Sequence, residues 1–105
     1  MDRNSSIGQI LRERREKKGL LLRQVAALLN IDSAILSKIE RGERKARKEQ
    51  ILQLAEILDL NQEDLVVHYL SEKILYEIRD EQLAEKALQV AERKLKYNAQ
   101  KYNQD

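Results

Sequence analysis

Apolar residues recur along this chain at steps of three and four, with short polar punctuation between them, so the pattern predicts helices from end to end. The first spans Ile7 to Lys18, with Ser5 or Ser6 as N-cap, contacts at Ile7, Ile10 and Leu11, and Gly19 as its stop. A second runs from Leu22 to Leu29 and buries Val25, Ala26 and Leu29, and Asn30 suits the left-handed cap conformation. Ile31 is an apolar link. Asp32 is the expected N-cap of a third helix, Ser33 to Arg41, which buries Leu36 and Ile39 and stops at Gly42. The basic stretch Arg44-Lys45-Ala46-Arg47-Lys48 leads into a fourth helix through Ile51, Leu54, Ala55 and Leu58. After Leu60-Asn61 a helix from Gln62 to Arg79 carries a wide apolar face of Leu65, Val66, Tyr69, Leu70, Ile74, Leu75 and Ile78. A last helix runs from Glu81 to Tyr97 or beyond, with Ala84, Leu88, Ala91 and Leu95 forming a seam suited to another helix. The polar tail Asn98 to Asp105 is expected to fray.

Composition agrees with an all-α fold: 36% of the 105 residues are charged, aromatics are 4%, and Pro, Cys, Trp and Phe are absent. Without cysteine there is no disulfide scaffold, thiolate zinc site or thiol nucleophile. His68 stands alone as a histidine and reads as a half-exposed helix residue rather than a ligand or base. Glu63-Asp64 and Asp80-Glu81 sit where helices start, so dipole complementarity accounts for them. No metal, cofactor or enzymatic activity is expected. No apolar run approaches the length that crosses a bilayer and no secretory signal is evident at Met1 to Ser6, so a cytoplasmic protein without a membrane partner is expected.

Charge is uneven. Residues 1–60 hold 13 basic and 9 acidic side chains, a net +4, whereas the remainder holds 7 and 9, a net −2. A basic front suggests a polyanionic partner there. The division expected is a domain over 1–65 that carries this basic charge and a helical extension over 66–105.

The functional signal is the pair of short helices around Asn30-Ile31-Asp32. A helix-turn-helix needs a small residue where its helices cross, met by Ala26, and an apolar residue in the turn, met by Ile31. Its second helix must anchor one face, here Leu36 and Ile39, and present the other to a major groove about 12 Å wide. Ser33, Ala34, Ser37 and Lys38 are the outward positions.

In these residues the chain resembles the XRE (Cro/cI-like) family of helix-turn-helix DNA-binding proteins. The likeness runs from Ile7 to about Leu65 through Ile7-Gly8, Leu11, Arg15, Gly19-Leu20, Val25-Ala26, Leu29, Ile31 and Ser37-Lys38-Ile39-Glu40-Arg41-Gly42. Leu54-Ala55-Glu56-Ile57-Leu58 and Glu63-Asp64-Leu65 continue it. The resemblance implies a five-helix bundle, usually dimeric, on palindromic operators. It implies base contacts from Ser33, Ala34, Ser37 and Lys38, and phosphate contacts from Arg23, Arg41, Arg44, Lys45, Arg47 and Lys48. It also implies a structural ion pair between Arg15 and Glu40.

Four positions depart from the family pattern. Leu21 and Leu22 replace a common Ser-Gln at the start of the second helix, which removes a phosphate clamp and sets two exposed leucines near the DNA side. Ala46 replaces a common Pro, and Arg14 stands where an apolar residue is usual.

The additional C-terminal helices, through Leu70, Ile74, Ala84, Leu88, Ala91 and Leu95, are the expected dimer interface, because a short reader gains affinity by doubling its contacts. The expected function is transcriptional regulation, as repressor or repressor–activator, by a homodimer on a palindromic double-stranded DNA operator. The size is similar to that of restriction–modification controller proteins and of antitoxins that repress their own operons. An antitoxin-type module, whose C-terminal helices bind a protein partner, is the alternative.

Overall fold

The computed structural model describes residues 5–102, and among them six α-helices and no strand are present. They are α1 (Ile7–Lys17), α2 (Leu22–Leu29), α3 (Ser33–Glu40), α4 (Lys48–Ile57), α5 (Gln62–Glu77) and α6 (Ala84–Tyr102). The chain divides into two compact units, Met1–Lys73 and Ile74–Asp105, and the division falls within α5.

In the first unit α3 packs on α1 and α2, and α2 packs on α4. The core is aliphatic: Ile10 and Leu11 of α1, Val25, Ala26 and Leu29 of α2, Leu36 and Ile39 of α3, and Ile51, Leu54 and Ala55 of α4, closed by Leu58 and Leu65. These are the inward positions of the helical periods. At roughly 1.5–3 kcal/mol for each fully buried large aliphatic side chain, they supply the main force holding the unit together. Ile31 and Ala46, from two connecting turns, pack against this core, as do Leu20, Leu22 and Leu60.

Helix starts follow one rule. At α1, α2 and α4 the third helical residue is a glutamine whose Oε1 accepts the N-cap N–H: Ser6 to Gln9 at 3.0 Å, Leu21 to Gln24 at 2.8 Å, and Arg47 to Gln50 at 2.8 Å. At α1 the bond is reciprocated by Ser6 Oγ, which accepts from the Gln9 N–H at 3.2 Å and completes a capping box. Asn61 serves α5 by accepting from the Asp64 N–H at 2.9 Å. Asp32 occupies the N-cap position of α3, but its carboxylate makes no capping bond.

Helix ends follow another. After α1, α2, α3 and α4 comes one left-handed residue: Gly19 (φ 71°), Asn30 (φ 58°), Gly42 (φ 77°) and Asp59 (φ 54°). The next N–H reaches back to the last helical turn in each case, Leu20 to Arg15 O, Ile31 to Ala26 O, Glu43 to Lys38 O and Leu60 to Ala55 O, at 2.8–3.0 Å. These are four Schellman motifs, which satisfy carbonyls that a helix end would otherwise leave bare.

The sequence expectations for α1 to α4 differ from the structure by a residue or so at the ends. At the C-terminus the differences are larger. α5 ends at Glu77 rather than Arg79, and α6 begins at Ala84 rather than Glu81. The tail expected to fray from Asn98 continues α6 as helix through Tyr102, because Asn98-Ala99-Gln100 contains no breaker; residues 103–105 lie outside the described residues.

α5 is apolar on more than one face. Leu65 is buried, Val66 and Tyr69 pack on the core, and Glu72 accepts a hydrogen bond from the Ile7 N–H at 2.6 Å, tying α5 to the start of α1. Leu70, Ile74 and Leu75 from the same predicted apolar face are exposed instead, together with Val67. Tyr76 is exposed and carries the Arg79 guanidinium over its ring at 3.9 Å. In the second unit Leu83, just before α6, and Leu88, Val90, Leu95 and Tyr97 on it are exposed.

Candidate nucleic-acid interface

The candidate recognition element is α3; two contacts of α1 hold its C-terminal end, and a third ties one of the same α1 residues to the entry of α2. The first is steric. Gly8 is buried where α1 crosses α3, and a β-carbon there would lie 2.4 Å from the Glu40 carbonyl oxygen and 2.7 Å from that of Ile39. Only glycine lets the two backbones approach so closely.

The second contact is electrostatic. Arg15 donates from Nε to Glu40 Oε2 at 2.8 Å and from Nη2 to Glu40 Oε1 at 3.0 Å, a bidentate pair buried on both sides. The third is the remaining Nη1 of Arg15, which donates to the Leu20 carbonyl at 2.9 Å in the turn that leads into α2. One guanidinium therefore fixes α1, the entry to α2 and the end of α3. The hydrogen bond to Glu40 raises the Arg15 pKa further above its already high value, so the group stays charged at every pH at which the protein folds.

With Leu36 and Ile39 anchored in the core, the other face of α3 is free for a partner. Ser33, Ala34 and Lys38 are exposed, while Ser37, expected to point outward with them, is half-buried. Ser37 sits one residue beyond the buried Leu36, so its side chain lies at the edge of the reading face.

The basic residues follow directly. Arg41, Arg44, Lys45, Arg47 and Lys48 are all exposed in the connection from α3 to α4 and at the first residue of α4, and Arg23 is exposed in the first turn of α2. Arg41, expected simply as a phosphate contact, carries a partner in the chain: its Nη2 lies 3.0 Å from Glu43 Oε2. Glu43 is the single acid in the stretch 41–48 and was not singled out from the sequence.

Leu21 and Leu22 differ from expectation. Leu21 is 48% exposed, but Leu22, expected to be exposed as well, packs partly against the core. The helix start survives the loss of a polar N-cap because Gln24 supplies the bond from inside the first turn. The Ser-x-x-Gln pattern of capping is visible at Ser6 to Gln9; at Leu21 and Arg47 no capping side chain announces it.

Arg14 also departs for a physical reason. Its Nε donates to the Leu58 carbonyl at 2.8 Å and its Nη2 to that of Asp59 at 2.9 Å, capping the C-terminus of α4 with positive charge. Lys18 joins it by pairing with the Asp59 carboxylate, and this hydrogen bond, with the lysine charge, lowers the Asp59 pKa below the usual aspartate value.

The residues expected at a dimer interface lie on α5 and α6. Leu70, Ile74, Leu88, Ala91 and Leu95 are exposed and Ala84 is half-buried. A shallow groove along α6 is lined by Leu83, Ala87, Val90 and Ala91 with Lys86 and Lys94, so its apolar surface is wider than the single seam read from the sequence. His68 is half-buried on α5. No helix among the described residues is long and apolar enough to cross a membrane.

Among known protein families, the one described as a helix-turn-helix domain matches residues 6–68, three-fifths of the chain. The chain belongs to that family. No curated protein and no solved structure gives a match. The helix-turn-helix domain thus takes in all of α1 to α4, together with the part of α5 that supplies Leu65 to the core. It indicates a DNA-binding regulator, with α2 and α3 as the paired helices.

Proposed function

We propose that this chain is a sequence-specific transcriptional regulator that binds an inverted-repeat operator as a homodimer and has no enzymatic activity. The observation that carries the reading is the division of α3: Leu36 and Ile39 are locked into the core, Ser33, Ala34 and Lys38 are exposed, and the helix opens directly into a basic connection. A major groove accepts such a helix, and the basic residues at its end suit the flanking phosphates. Lys38 donates to guanine O6 or N7, the serines serve several bases, and Ala34 meets a thymine methyl. Arg23, Arg44, Lys45, Arg47 and Lys48 supply sequence-independent affinity. α5 and α6 join two copies through Leu70, Ile74, Ala84, Leu88, Ala91 and Leu95. The protein acts in the cytoplasm.

The test is selection from fragmented genomic and random DNA by the purified protein at about 150 mM salt, where non-specific binding is already weakened. An enriched inverted repeat is the expected outcome. Its genomic position beside a methyltransferase gene or a toxin gene distinguishes a restriction–modification controller, the role we favour, from an antitoxin. Retention of bulk DNA without any enriched motif would overturn sequence-specific reading. A Lys38→Ala variant should lose affinity for the selected site by about 1–3 kcal/mol and lose little for random DNA. Equal losses on both would remove Lys38 from base recognition.

A further inference from the structure

The four Schellman motifs that end α1 to α4 share a geometry, and one of them breaks its chemistry. The residue after the left-handed position folds back over the last helical turn and is commonly apolar for that reason. Leu20, Ile31 and Leu60 follow the rule, and all three pack against the core. At the end of α3 the same position is Glu43, whose N–H donates to the Lys38 carbonyl at 2.8 Å while its side chain stays exposed. Glu43 is exposed where its three counterparts are partly buried. Its charge is also of the wrong sign for a helix C-terminus, where the macrodipole already carries partial negative charge. Local folding gives no reason for a carboxylate here.

Its surroundings do. Arg41 precedes it by two residues and Arg44-Lys45-Ala46-Arg47-Lys48 follow, so Glu43 is the one negative charge inside the most basic segment of the chain. It holds the Arg41 guanidinium at 3.0 Å, with both side chains about half exposed. Such a pair is weak, which leaves it open to exchange when phosphate arrives.

We infer that Glu43 is an anionic brake on DNA binding: it occupies Arg41 and sets a repulsive charge beside the phosphates, holding down affinity for DNA of any sequence. The inference rests on the proposed function, in which this segment follows the DNA backbone. A regulator searches for its operator among a large excess of competing sites, and phosphate contacts raise affinity for all of them alike. A carboxylate among the phosphate-binding residues lowers that common term without touching the reading face of α3.

Fluorescence anisotropy on a labelled random-sequence duplex, across a salt series, tests the brake. Glu43 is exposed, so E43Q should keep the wild-type circular dichroism spectrum, with a thermal midpoint no lower than that of wild type because an unfavourable charge leaves the helix C-terminus. E43Q should bind about two- to fivefold tighter than wild type, the range expected from releasing an exposed ion pair. Its plot of log K against log salt should steepen by about 0.9, one further phosphate neutralised. In an R41Q background the same change should gain less, because there is no guanidinium to release.

E43Q binding random DNA no tighter than wild type, with an unchanged slope, would overturn the brake while leaving the regulator reading intact. An equal gain with and without Arg41 would overturn the sequestration of Arg41. A loss by E43Q on the selected operator alone would make Glu43 a reader of cytosine N4 instead, and so overturn the proposal. Failure of the wild-type protein to bind any duplex at low salt would remove the DNA reading itself, and the brake with it.

Discussion

Gly8 and Arg15 set the position of the recognition helix by opposite means, one by having no side chain and the other by using all of its side chain. A Gly8→Ala change puts a methyl group against two backbone carbonyls that belong to the last turn of α3, and backbone cannot swing aside as a flexible side chain does. The expected cost is about 1–3 kcal/mol or more, read as a lowered urea midpoint, with DNA binding weakened further because α3 is displaced. For the buried pair, Arg15→Met alone should cost roughly 3–5 kcal/mol, since Glu40 then keeps its charge without a partner. The double replacement Arg15→Met with Glu40→Leu should recover most of that stability, because two apolar groups leave no buried charge. A double variant no more stable than the single one would mean that the Leu20 carbonyl, not Glu40, is the partner that matters. Both features were legible in the sequence only through the family resemblance, which implied the Arg15–Glu40 pair and included Gly8 without a role; the physical reason for Gly8, a crossing of two backbones, exists only in three dimensions.

The helices themselves were readable wherever a terminator marks them. Gly19, Asn30 and Gly42 gave the ends of α1, α2 and α3, and each takes the left-handed conformation expected of it. The end of α4 was less visible because its left-handed residue is Asp59, a residue type that seldom pays the cost of that conformation without help. Arg14 and Lys18 supply the help, from a helix more than forty residues earlier. Arg14→Leu should therefore lower stability by about 1–2 kcal/mol through the lost carbonyl contacts, measurable by thermal unfolding. The Lys18–Asp59 tie has a pH signature. Asp59 titrates lower in the folded chain than in the unfolded one, so the stability it adds is fully present above the ordinary aspartate range and is lost as pH falls through the lowered folded value. An Asp59→Asn variant should accordingly be less stable than wild type at neutral pH, with the difference closing as pH falls below the ordinary aspartate range and through the lowered folded value. The boundaries of α6 and the exposure of α5 were the least legible elements, since charged and apolar residues mix around both helices and periodicity alone does not tell an unpartnered face from a buried one.

At the scale of the molecule, the match to the helix-turn-helix family and the first compact unit cover almost the same residues, 6–68 and Met1–Lys73. A fragment ending at Lys73 keeps Leu65, Tyr69 and the Glu72 bond to α1, and should unfold cooperatively by itself while lacking the surfaces of α6. Substituting Leu88 and Leu95 together by Lys in the full chain should convert a dimer to a monomer by sedimentation, with helix content retained, because both side chains are exposed in the single chain. An unchanged sedimentation coefficient would remove α6 from the proposed interface. The connection between α3 and α4 carries a last consequence. Ala46 packs there against the core, and the whole chain of 105 residues has no proline. Each of α1 to α4 also closes its C-terminal end with residues from its own last turn. Refolding from denaturant should then run as one fast phase, on the order of milliseconds or less for a fold so rich in local contacts. No slow phase lasting tens of seconds should follow, and a prolyl isomerase should leave the kinetics unaltered.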